Sequence, residues 1–223
     1  MSRDLRESAR TEAFSDGVIA FAITLLVLNL RDPLLDSTVS PRPTLFEGLL
    51  VQWPAFFAFV TSFATILIMW VNHHNMFSYI RKVDTTMLFL NGLLLFFIVL
   101  TAFTTSLIAN HVNLNPTNNG TTQVNPNAAA ADATTAAAIY SGNAVILGLV
   151  WSTVSYYSLK LSGGSRTTKI NPVRFLIGPA PYAVSLALAF FNPFLSIVAV
   201  LVIAAYWTIA SRWFWKTALS RTG

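Results

Sequence analysis

Two polar stretches interrupt an otherwise apolar chain. Arg10, Phe14, Ser15 and Asp16 stand at the mouth of the apolar run Gly17 to Leu30, and Trp70, His73, His74 and Asn75 close a second run that begins near Leu45. Ionisable groups at membrane depth are costly and mark either ion paths or the polar contacts that join helices. An acidic side chain facing protein needs polar partners, and Trp70, His73, His74 and Asn75 are the candidates at the matching end of the second run. Asp16 therefore has two readings: a clamp between helices, or a carboxylate that itself meets a cation or proton. His73 and His74 are adjacent, which on a helix sets them about 100° apart, a poor grip on one metal ion. Hydrogen bonding suits them better, and His111 reads as a solvated histidine at a helix end.

At about 100° per residue, Arg10, Phe14, Gly17, Phe21, Thr24, Leu25 and Leu28 gather on one stripe of the first helix, while Asp16, Ala20, Ile23 and Val27 lie on another face. By itself such a stripe equally suits lipid-facing or helix-packing surface.

The elements that carry these residues follow from composition. With 54% hydrophobic and 10% charged residues among 223 and a mean hydropathy of +0.59, the chain lacks the polar surface of a soluble globule. Its apolar runs approach the roughly 20 residues that cross a hydrocarbon core of about 30 Å, and helices alone satisfy their own backbone there. No alternating pattern suggests a barrel. The expected fold is all-α and polytopic, one domain over residues 1–223, with six spans near 13–30, 45–79, 85–109, 133–159, 173–191 and 193–215. The second is long for one crossing, and Pro54 is a candidate kink. Residues 111–132, rich in Asn, Thr and Ala and free of Lys and Arg, read as a flexible external loop.

Basic residues test that division, because short cytoplasmic loops accumulate Lys and Arg. With one long second helix, twelve of the fourteen fall on one side, and only Arg31 and Arg42 on the other. Two crossings within 45–79 would destroy the bias. Both termini are thus expected on the cytoplasmic side of the membrane.

The same distribution explains the net charge of +5 without nucleic acid, since no aromatic-interleaved basic patch exists. The absence of cysteine excludes disulfides and thiol chemistry. No small-residue cleavage site follows Leu30, so the first span is expected to be retained. No HExxH, GxSxG or phosphate-binding glycine loop is present, and no nucleophile, base and orienting group can be assembled, so an enzyme is not expected, nor a cofactor.

Arg10, Phe14, Ser15 and Asp16 spell RxxxFSD, and the continuation from Gly17 to Leu28 resembles the first helix of the prokaryotic branch of the transmembrane protein 175 potassium channels. Trp70-Val-Asn-His73-His74-Asn-Met-Phe77 resembles the polar motif of that family's second helix. The resemblance covers the whole chain in layout and about forty residues in specific motif. It implies a homotetramer in the lipid bilayer whose first helices line a central path for monovalent cations, with potassium as permeant. The family lacks the backbone-carbonyl filter of ordinary potassium channels, and no TVGYG occurs here, so selectivity falls to side chains and pore width. By position the constriction falls on Phe21, the hydroxyl on Thr24 and further apolar pore positions on Leu25 and Leu28. Phe21 departs from the Ile or Leu usual there. Copies of these apolar side chains around an axis form a gate that closes by dewetting, and Thr24 hydroxyls can replace part of a cation's hydration shell. Arg10, Phe14, Ser15, Asp16, Trp70, His73 and His74 form the expected polar network.

Two other classes remain open. A secondary transporter places broken helices, ionisable residues and commonly an internal repeat at mid-membrane, whereas a membrane scaffold needs no aqueous path. Flux down a gradient without counter-substrate separates the channel from both.

Overall fold

The computed structural model describes residues 6–30, 32, 44–78, 80–112, 126–161 and 178–219. It is helical: α1 (Ser8–Leu25), continued by a 3-10 turn (Leu26–Asn29), α2 (Leu45–Val51), α3 (Trp53–Phe77), α4 (Thr85–His111), α5 (Pro126–Leu161), α6 (Ala180–Ala189) and α7 (Pro193–Leu219). Among the described residues four segments are long and apolar enough to cross a membrane: Ser8–Asn29, Trp53–Phe77, Thr85–His111 and Asn127–Leu161. Ala180–Ala189 and Pro193–Trp207 are shorter apolar helices.

α1 begins without a side-chain cap on Glu7. Its first turn is instead secured by backbone: Arg6–Glu7 (β1) pairs antiparallel with Lys82–Val83 (β2), and the Ser8 N–H donates to the Arg81 carbonyl at 3.3 Å. These bonds occupy donors that a helix start otherwise leaves open. They also tie α1 to the α3–α4 connection. At its far end the Asn29 amide donates to the Ala102 carbonyl of α4 at 3.2 Å.

The single long second helix expected from the sequence is two helices. The break falls at Gln52, whose ψ of 6° leaves the helical region. Pro54 supplies the cause: it has no N–H for the carbonyl four residues back, and its ring crowds that carbonyl. The same proline suits the first turn of α3. α2 is held separately by a capping box: the Thr44 N–H and hydroxyl both donate to Glu47 Oε2 at 2.8 Å, and the Glu47 N–H returns to Thr44 Oγ1 at 3.3 Å. Those two donors hold the exposed Glu47 carboxyl below its ordinary pKa.

Other boundaries also differ. α1 starts five residues before the expected span, at Ser8. α5 starts at Pro126, so the last part of the stretch read as an external loop is helical; an alanine-rich run continues a helix readily. Residues 113–125, the fifth-span start at 173–177, Tyr79, Arg31 and Pro33 lie outside the described residues.

Asp84 caps α4, accepting from the Met87 N–H at 2.9 Å, and receives the Tyr157 hydroxyl of α5 at 2.6 Å. Asn192 accepts from the Leu195 N–H at 3.0 Å, and Pro193 opens α7 where its missing N–H costs nothing. Gly148 lets α5 approach α6: an added Cβ would lie 3.2 Å from Pro179.

Two apolar clusters form the interior. One joins Ile19, Ala22 and Leu26 of α1 and the turn after it to Ile66, Met76, Leu94, Ile98 and Val154. The other joins Ala58, Ile108, Ala137, Tyr140, Ile197 and Val200. Buried hydroxyls and amides knit α3, α4 and α5 together: Thr105 donates to Ser62 at 2.7 Å, Ser62 and Tyr140 share a bond of 3.1 Å, and Asn143 donates to Thr101 at 3.0 Å. Satisfying polar atoms across helices in this way holds a membrane bundle together where lipid offers no hydrophobic drive. α1 packs on α3 and α4, and is the least enclosed of the four long helices.

Candidate functional site: the face of α1 and its polar anchor

α1 has two opposed faces. Ser8, Ser15, Ile19, Ala22 and Leu26 point into the bundle and are buried. Across the helix, Arg10, Gly17 and Thr24 are exposed, as are Phe14 (65%), Phe21 (61%) and Leu28 (70%). The helical stripe read from the sequence is therefore bare in the single chain, except that Leu25 at its edge is half-buried. Thr24 donates its hydroxyl hydrogen to the Phe21 carbonyl at 2.8 Å. That bond uses the hydroxyl hydrogen and leaves the oxygen's lone pairs free to accept.

The anchor sits at the N-terminal end of α1. Glu12 and Asp16 are one turn apart, as are Trp70 and His74 on α3, so the two pairs meet as rungs. The Trp70 indole N–H donates to Asp16 Oδ1 at 2.9 Å. His74 Nδ1 lies 2.9 Å from Glu12 Oε1, and the Trp70 and His74 rings stack with centroids 6.1 Å apart. Asp16 thus meets α3 through Trp70, as the clamp reading expects.

His73 does not join that clamp. It is fully buried, stacked on Phe77 with centroids 4.6 Å apart, and its Nε2–H donates to Asn91 Oδ1 at 2.9 Å. The Asn91 amide donates to Ser15 Oγ at 2.8 Å, and the Ser15 hydroxyl donates to the Thr11 carbonyl at 2.8 Å. The relay is directional, since each group donates once to the next. It joins α3, α4 and α1, and the adjacency of the two histidines is what splits them: about 100° of rotation sends His74 to Glu12 and His73 to Asn91. Among the described residues His73 Nδ1 has no hydrogen-bond partner.

Of the expected network, Ser15, Asp16, Trp70, His73 and His74 come together, whereas Arg10 and Phe14 stand on the bare face. Sequence reasoning missed Glu12 and Asn91. The signal for Asn91 was available: it is the one amide within the apolar run Met87 to Leu100.

Comparison with known proteins agrees with this architecture. The family profile described as "Endosomal/lysosomal potassium channel TMEM175" matches residues 10–102, the part that holds the bare stripe, the clamp and the relay. A potassium channel of Chamaesiphon minutus is 34% identical over 92% of this chain and 96% of its own length. A potassium channel of Streptomyces collinus is 33% identical over 91% of this chain and 92% of its own. A crystal structure of a lysosomal potassium-selective channel TMEM175 homolog from Chamaesiphon minutus superposes with a TM-score of 0.72, covering 92% of this chain and 97% of that one.

Proposed function

Because this chain belongs to the transmembrane protein 175 family, we propose that it is a potassium-selective channel, not an enzyme, and that α1 lines its pore. The observation that carries the reading is the bare face of α1. A helix anchored on one side by buried polar bonds, and exposing Phe14, Phe21, Thr24 and Leu28 on the other, is unfinished in one protomer. Identical copies around an axis complete it, and four is the number proposed, by likeness to the family. Closed cyclic symmetry is how identical subunits enclose a path.

Each part of the stripe then has a task. Phe21 rings narrow the path and exclude water, giving a gate that opens when it wets. Thr24 oxygens, their hydrogens engaged by the Phe21 carbonyl, replace part of the hydration shell of a monovalent cation. Leu28 and the edge residue Leu25 line the apolar path beyond. Asp16 is held by Trp70, which favours the structural role for its carboxylate over direct contact with ions. The proposed topology has six crossings and both termini in the cytoplasm, consistent with the basic residues of the short loops.

Reconstitution in liposomes tests the proposal. Potassium flux down its gradient, exceeding sodium flux and needing no counter-substrate, is expected. Flux that requires an exchanging ion would make the protein a transporter, and absence of flux would leave a scaffold.

A further inference from the structure

Resting on that reading of α1, the turn that ends the helix decides which apolar side chain follows Thr24 along the path. We propose that Asn29 is a positioning residue of the pore: its bond to Ala102 holds the 3-10 turn Leu26–Asn29, and that turn sets Val27 over Thr24 as an outer apolar collar.

Rotation carries the first step. On an unbroken α-helix, at about 100° per residue, Val27 lies about 60° from Thr24 and shares the face of Ile23. In a 3-10 turn side chains three apart eclipse, which brings Val27 to within about 20° of Thr24 and sets Leu28 over Leu25. Exposure follows the tighter turn. Ile23 is half-buried against the apolar cluster behind α1, whereas Val27, one turn on, is 52% exposed. The turn is closed by three-residue bonds at both ends: the Leu26 N–H donates to the Ile23 carbonyl, and the Leu30 N–H to the Val27 carbonyl at 3.0 Å.

The support of the turn carries the second step. Hydrogen bonds in a 3-10 turn are poorer than in an α-helix, so bonds from outside weigh on which of the two is kept. Leu26 is fully buried, the turn packs on α3 and α4, and the Asn29 amide donates to the Ala102 carbonyl at 3.2 Å. Ala102 is buried and small, which lets the turn come close. Around it Thr101, Thr104 and Ser106 return their hydroxyls to the Phe97, Thr101 and Phe103 carbonyls of α4 itself. The polar bond between turn and α4 comes from Asn29. α4 is braced at this height, because Asn143 of α5 donates to Thr101 and Thr105 donates to Ser62 of α3. Asn29 thus fastens the turn to a point that two other helices hold.

The consequence is local to the path. A branched apolar side chain directly beyond the Thr24 oxygens excludes water where a cation has exchanged part of its shell for hydroxyls. With the turn relaxed to α-helix, Val27 swings away and Leu28 moves toward its place.

The chain contains no cysteine, so single introduced thiols report cleanly. Ile23→Cys, Thr24→Cys, Val27→Cys and Leu28→Cys are each treated with a water-soluble methanethiosulfonate while potassium current is recorded in bilayers. Current before the reagent verifies folding. Block is expected at Thr24→Cys and Val27→Cys and not at Ile23→Cys. Adding Asn29→Ala should slow block at Val27→Cys severalfold and speed it at Leu28→Cys, leaving Thr24→Cys unchanged. Asn29→Asp, of the same shape but without the amide hydrogens, should repeat that exchange, and Asn29→Gln should move the rates back toward the native order. Block at Thr24→Cys without block at Val27→Cys would overturn the collar while the pore stands. Unchanged rates at Val27→Cys and Leu28→Cys beside Asn29→Ala, with only the melting temperature lowered, would make Asn29 a structural bond and overturn its positioning role. Should every Asn29 variant fail to carry current, Val27→Cys against Ile23→Cys in the native turn still decides the collar. No block at any of the four positions would remove the pore reading and the collar together.

Discussion

At the scale of single residues, the proposed pore role of the bare stripe assigns constriction and selectivity to different side chains. Phe21 carries the largest side chain of the stripe's central part and no polar atom, so Phe21→Ala should raise resting leak severalfold in single-channel recordings; unchanged conductance would place the narrow point elsewhere. Thr24→Val keeps the shape and removes the oxygen. It should lower potassium preference over sodium, measured as a reversal-potential shift, without altering assembly. For the clamp the opposite outcome is expected. Trp70→Phe and Asp16→Asn together should show a coupling of about 1 kcal/mol in a double-mutant unfolding cycle, the usual scale of polar contacts between membrane helices, with ion preference unchanged. A swapped ion preference in tetrameric Asp16→Asn would show that the carboxylate meets the ion after all.

At the scale of elements, proline and capping decide where helices stop. The apolar run from Leu45 onward looks continuous because hydropathy does not register a missing donor, yet Pro54 ends one helix and starts another. α2 is then too short to lean on propagation and depends on its capping box. The Glu47 carboxylate is stabilised by the Thr44 donors, so its folded pKa lies below its unfolded one. That contribution is present above about pH 4.3, the ordinary Glu value, and fades as pH falls through the lower folded pKa. Protection of the first amides of α2 against hydrogen exchange, taken relative to the intrinsic rate at each pH, should weaken in that acid range, and Glu47→Ala should show the weak protection at neutral pH. Equal exchange in both proteins at pH 7 would remove the cap from the account.

At the scale of the whole molecule, one side of the chain closes on itself and another is left bare, as the proposed assembly requires. α5, α6 and α7 close on one another through Ser141, Ser185 and Ser196, all fully buried and mutually bonded. α1 instead has polar bonds behind it and bare apolar residues in front. Assembly and stability should therefore be linked by mass action. Diluting the purified protein in detergent should lower both the melting temperature and the fraction cross-linkable to tetramer, in step. A melting temperature independent of concentration while the tetramer dissociates would mean that the protomer is complete alone.

Much of this was legible in the residues. Composition and run length specify a polytopic helical membrane protein because backbone groups in hydrocarbon have few ways to be satisfied. The 3.6-residue period specifies which side chains of α1 share a stripe, and RxxxFSD with the Trp-His-His stretch points to the family. What the order of residues left open is partnership. Asp16 had four candidate partners, and only packing chose Trp70, gave His74 to Glu12 and sent His73 to Asn91. Periodicity assigns a direction around one helix axis, but a hydrogen bond needs two helices at a set height and rotation, and many distant contacts together set that arrangement.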